Sequence, residues 1–141
     1  MSAKIVVTVD QVGPSASQGV ARTHRITIDR PVTKGGEDHG PMGGELLLVS
    51  LGGCFMSNLL AAIRAREAAV GGVRISVEGT LGGVPERFES VVLTVVADYQ
   101  DPDLMQRLIT IADRGCIVTN TLRPTMDLSI ILDLGSRSPT R

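Results

Sequence analysis

The sequence predicts an α+β fold in which antiparallel sheets are covered by two main helices, one of them long and buried. Three observations predict it. Runs that are β-branched or alternate apolar with polar recur at residues 4–9, 20–29, 73–81, 91–98 and 126–134, as half-buried strands do. Between residues 46 and 63 there is no formal charge, and apolar side chains fall on every side of a helical wheel. Residues 101–115 place Leu104, Met105, Leu108, Ile109, Ile111 and Ala112 along one face of a second, amphipathic helix. The order is ββαββαβ, with the helices set against the sheet.

Each element has a local reason. Residues 4–9 are β-branched throughout after Lys4, and residues 11–18, rich in Gly, Pro and Ser, read as a loop before the strand at 20–29. The glycine and proline density of residues 32–44 predicts a long ordered loop leading into the central helix. That helix continues through Arg64 and Glu67, where charge returns, and stops near Gly71–Gly72. Val73, Ile75 and Val77 alternate along one strand, and residues 91–98 form its antiparallel neighbour. Asp101 and Pro102 supply an N-cap and a first-turn proline for the second helix, and Gly115 ends it. Residues 116–122 start a short further helix, residues 126–134 form the last strand, and the tail 135–141 is expected to be disordered.

The 141 residues suit a single domain. Aromatic residues make up only 2%, and 14 basic residues stand against 15 acidic ones with no basic block, which argues against nucleic acid as a partner. The first ten residues lack the apolar core and cleavage site of a secretory signal, so a cytoplasmic protein is expected. In a reducing compartment, two cysteines point to transient, catalytic sulfur chemistry rather than a structural disulfide. The uncharged stretch reaches the lower length of a membrane span, but Ser50, Ser57 and Asn58 and the lack of an aromatic belt argue against one. A helix apolar all round needs more cover than one small sheet offers. A dimer that buries it between two chains is therefore expected.

Within that helix lie Gly52, Gly53 and Cys54. Two glycines in a helix cost about 2 kcal/mol relative to alanines, so something should compensate. They either let another backbone approach closely or loosen the helix so that Cys54 begins its second half under free N–H groups. The second arrangement would favour a nucleophilic thiolate. A free cysteine in an apolar run is equally a common small core residue.

The segment from Gly43 to Cys54, preceded by Gly35-Gly-Glu-Asp-His-Gly-Pro41, together with Arg114-Gly-Cys-Ile-Val-Thr-Asn-Thr-Leu122, resembles the OsmC/Ohr family of thiol-dependent peroxidases. The separation of the two cysteines and the element order from about residue 20 to 134 fit that family as well. The resemblance implies an intertwined homodimer with its site at the subunit interface, Cys54 as the peroxidatic residue and Cys116 as the resolving one. It implies an organic hydroperoxide as substrate and an external dithiol, such as one of lipoyl type, as reductant, with no resident cofactor or metal. The chain departs from the family where Met42-Gly43-Gly44 replaces an Asn-Pro-Glu sequence and where Ile117 replaces a proline.

The remaining candidates follow from the same resemblance. The family's activating arginine is expected near the second strand, where Arg22, Arg25 and Arg30 lie, and Arg22 is the first choice. On a continuous strand Arg22 and Arg25 point to opposite faces, so both cannot reach one site. Glu45 stands one place after the position of the family glutamate. At ~100° per residue it faces away from Cys54 on an unbroken helix, and a favourable charge at the helix N-terminus is its plainer role. His39 could serve a cysteine hydrolase, but a closed zinc site needs four ligands and the chain has two cysteines and two histidines. The competing function is a redox-sensing or small-molecule-binding protein on the same scaffold.

Overall fold

The computed structural model describes residues 2–133, and the chain divides into two compact units, Met1–Leu47 and Leu48–Arg141. The tail 135–141 lies outside the described residues. In the first unit, strands β1 (Thr8–Gln11), β2 (Ser17–Ala21) and β3 (His24–Ile28) form an antiparallel sheet in that order. This corrects the sequence reading at two places. The single strand expected at 20–29 is a hairpin, because Ala21 pairs with His24 across a two-residue turn in which Arg22 adopts a positive φ of 59°. The first strand begins at Thr8 rather than at residue 4. Thr8 pairs with Val20, next to the last residue of β2, so residues 4–6 run past the end of their partner.

The loop after β3 is held by one buried side chain. Asp29 is 2% exposed and accepts the backbone N–H groups of Arg30 at 2.7 Å, Glu37 at 3.3 Å and His39 at 3.1 Å. Burial pushes its carboxyl up, but these backbone bonds from His39, Arg30 and Glu37 work against it, and the carboxyl is held below the usual carboxylate range. The glycines of this loop have a steric reason. A Cβ at Gly36 would lie 1.9 Å from the Arg30 carbonyl oxygen, and one at Gly40 would lie 2.2 Å from that of Thr27.

Helix α1 (Gly43–Ala65) starts in the first unit and continues into the second, where β4 (Gly71–Gly82), β5 (Arg87–Asp98), α2 (Pro102–Gly115), α3 (Ile117–Leu122) and β6 (Asp127–Leu132) follow. The sheet order is β4-β5-β6. β4 and β5 are antiparallel, as the alternation implies, but β6 runs parallel to β5. This corrects the expectation of antiparallel sheets throughout. Two helices intervene between β5 and β6, a crossover long enough to carry the chain back to the same end of the sheet.

The core of this unit forms where alternating β5 residues Val91, Leu93, Val95 and Ala97 meet Leu51, Phe55 and Leu59 of α1 and Met105, Leu108 and Ala112 of α2. Asp101 caps α2 by accepting the N–H groups of Asp103 and Leu104 at 3.0 and 3.1 Å, as its sequence position implies. α1 is long and apolar enough to cross a membrane by composition alone, yet its 51–55–59–62–63 face is built into this core, as in a soluble domain. Its other sides are not fully covered among the described residues: Val49 is 63% exposed and Leu60 40%.

The Gly52–Gly53 pair does not interrupt α1. Of the two readings of that pair, close packing applies to Gly52, where a Cβ would lie 2.9 Å from a Val77 methyl on β4; at Gly53 a Cβ meets nothing within 4 Å. Cys54 is consequently in mid-helix, not at a helix start. Gly52→Ala should forfeit the ~1 kcal/mol that alanine normally gains over glycine in a helix and cost about 1–3 kcal/mol through overpacking against the stiff Val77 side chain. Urea denaturation of the two proteins measures this. An unchanged or raised midpoint would show that α1 and β4 are not in tight contact there.

Candidate active site

The two free cysteines meet in the second unit. Cys54 directly precedes the fully buried Phe55 on α1, so it emerges at the edge of the packed face and is half-buried. Cys116 is fully buried at the junction where α2 ends and α3 begins. Local bonds determine the shape of that junction. The Cys116 N–H donates to the Asp113 carbonyl at 3.2 Å, the Thr119 hydroxyl reaches the carbonyls of Cys116 and Asp113 at 3.0 and 3.2 Å, and Arg123 pairs with the Asp113 carboxylate at 2.9 and 3.0 Å. The Cys116 sulfur accepts the Thr119 N–H at 3.5 Å.

Burial pushes the Cys116 thiol above its ordinary pKa. The Thr119 N–H works against burial, and a side-chain hydrogen bond with Cys54 reinforces it, so the net direction is upward. Cys116 is thus a protonated thiol beside the Cys54 sulfur near neutral pH. An amide nitrogen of Asn58 lies 3.9 Å from that same sulfur.

The other sequence candidates belong to the first unit. Arg22 sits exposed at the tip of the β2–β3 hairpin, not in a strand, so the opposite-faces reasoning for Arg22 and Arg25 does not apply. Arg25 on β3 donates to the Gln18 side chain at 2.9 Å. Arg30 lines a cavity of about 350 Å3 with Lys34 and with Met42, Gly43 and Gly44 at the start of α1. Glu45 accepts the Met42 N–H at 2.8 Å, the reciprocal bond of a capped helix start, which agrees with its plainer role. His39 is exposed, and its Nδ1 lies 3.9 Å from Asp29. Among the described residues no group of three or more His, Cys, Asp or Glu side chains could hold a metal ion.

Sequence reasoning missed Asp29 and Asn58. Asn58 had a signal, since it stands one helical turn after Cys54 and is among the few polar residues of an apolar stretch. Asp29 had a weaker one. A loop dense in glycine needs an acceptor for its backbone N–H groups, and Asp29 is the acidic residue that precedes it.

Residues 35–130, a span that includes both cysteines, match the model of a family described as OsmC-like protein. The chain belongs to the OsmC-like family. No curated protein matches it. Its fold is similar to that of solved members and relatives. An OsmC-like protein from Mycoplasma pneumoniae is 18% identical, with a TM-score of 0.80 over 99% of this chain and 100% of that one. An organic hydroperoxide resistance protein from Elizabethkingia anophelis is 18% identical, with a TM-score of 0.71 over 94% and 99%. The organic hydroperoxide resistance protein OhrB of Bacillus subtilis is 18% identical, with a TM-score of 0.68 over 93% and 98%.

The buried thiol gives this OsmC-like chain a pH signature. In the unfolded chain Cys116 ionises at its ordinary value, whereas in the folded chain it stays neutral to higher pH. Its contribution to stability is therefore complete below the ordinary thiol pKa and is lost as pH rises toward the folded value. Unfolding free energy measured from pH 7 to 10 should fall more steeply for the native protein than for Cys116→Ala. Parallel curves would contradict the assignment.

Proposed function

We propose that this chain is a cytoplasmic thiol peroxidase that reduces organic hydroperoxides to alcohols. The observation that carries the reading is the pairing of Cys54, half-buried and reachable, with the buried, protonated Cys116. Supporting it, relatives of the same fold bear the name organic hydroperoxide resistance protein.

The chemistry follows from the two positions. The Cys54 thiolate attacks the distal oxygen of the hydroperoxide, the O–O bond breaks, and the alkoxide leaves as alcohol after taking one proton. Sulfur is oxidised to sulfenic acid. The Cys116 thiol then attacks the Cys54 sulfur, and water leaves as the disulfide forms. An external dithiol such as one of lipoyl type restores both thiols by exchange and is itself oxidised to a disulfide.

Arg22 remains the proposed cation for activating Cys54, with no hydrogen-bond or ion-pair partner of its own among the described residues. The functional molecule is proposed to be a homodimer. Its second copy would cover the outer side of α1, where Val49 and Leu60 are exposed. A second reading, a redox-sensing or small-molecule-binding protein, is favoured by Glu45. Its carboxylate is spent on the helix start instead of being free to orient an arginine.

Reduced protein mixed with cumene hydroperoxide tests the first reading. Two thiols per chain should disappear for each peroxide consumed. Cys54→Ser should abolish consumption, Cys116→Ser should leave a sulfenic acid that dimedone traps, and Arg22→Ala should slow the first step at least tenfold. Sedimentation should return twice the 14.9 kDa chain mass. Thiols that persist in excess peroxide would favour the second reading.

A further inference from the structure

Asn58 touches both thiol-bearing segments. Its amide nitrogen donates to the Cys54 carbonyl at 2.9 Å and lies 3.9 Å from the Cys54 sulfur. An amide nitrogen carries two hydrogens, so one holds the carbonyl while the other is presented to sulfur. On its opposite side the Asn58 carbonyl oxygen abuts Gly115, the residue before Cys116. A Cβ at position 115 would lie 2.8 Å from Oδ1 and 3.5 Å from Cγ of Asn58. Gly115 does not have a positive φ, so the backbone there does not call for glycine. What keeps that position free of a side chain is the space Asn58 occupies.

We infer that Asn58 is the positioning residue of the thiol pair, aiming the Cys54 sulfur and its charge toward the oxidant while leaving room for Cys116 to approach. The inference rests on the peroxidase reading for its purpose, but its geometry does not. A donor on sulfur favours the thiolate, which is the nucleophilic form. The bond to the Cys54 carbonyl limits the amide to one orientation, so the donor is in place before reaction. An apolar residue at 58 would fill the same space against the core without supplying that donor. Gly115 completes the device, because a methyl group there would push the amide off the sulfur without removing any polar group.

The test is the pH dependence of Cys54 alkylation by iodoacetamide, followed by peptide mass spectrometry in the full chain, for the native protein, Asn58→Ala, Gly115→Ala and the double variant. Asn58→Ala should move the profile to higher pH and slow alkylation at pH 7 by about tenfold, with rates converging where the thiol is fully ionised. Gly115→Ala should do the same to a smaller degree in the native background and nothing further in Asn58→Ala, the coupling expected of groups in contact. A merely structural role would lower the melting temperature and leave the profile in place. That result, or a Gly115→Ala effect of equal size with and without Asn58, would overturn the inference. Hydroperoxide consumption measured in parallel separates the two proposals. Consumption with unmoved profiles defeats only the role of Asn58, and moved profiles without consumption defeat only the peroxidase reading.

Discussion

The packing of one face of α1 against β5 and α2 is the constraint on which the site depends. Leu51, Phe55, Leu59, Ala62 and Ile63 recur at helical spacing and are buried together. Once that face is seated, rotation about the helix axis is no longer free, and the neighbours of Phe55 have assigned directions. Cys54 and Asn58, one turn apart, come out on the same side at the margin of the core. Gly52 lets the helix settle close to Val77. Gly52 is therefore a packing device that leaves the helix continuous, and the surroundings of Cys54 are set by its neighbours instead of by a free helix end.

Those neighbours come from a different part of the chain. α2 is stopped at Gly115, the carbonyls of its last turn are tied down by Thr119 and Asn120, and Cys116 is left pointing into the core. Burial keeps Cys116 neutral. Under the proposed peroxidase reading, this suits a resolving thiol that waits for a sulfenic acid, and the unequal burial of the two cysteines would give them an order of reaction.

The elements whose signals are local were legible in the sequence. Asp101 and Pro102 marked the start of α2, the alternation at Val73, Ile75 and Val77 marked β4, and the position of Glu45 in the first turn of α1 suited a helix-start charge, where it accepts the Met42 N–H. The family resemblance lay in the two cysteine segments, both inside the matched span. The β2–β3 hairpin was not legible. Its turn is Arg22–Thr23, with neither glycine nor asparagine, and a positive φ at arginine leaves no mark in the residue pattern. The direction of β6 depends on a crossover, which local periodicity does not encode. The half-covered α1 looked apolar on every side because composition cannot tell which of its sides its own sheet covers.

Proximity of the two sulfurs is the central claim, and it can be tested without assuming any substrate. Reduced protein treated with less than one equivalent of diamide at low concentration, digested without reduction, should yield one linked peptide pair containing Cys54 and Cys116 from the same chain. Recovery of both cysteines as free thiols, or of cross-links between chains through Cys54 alone, would contradict it.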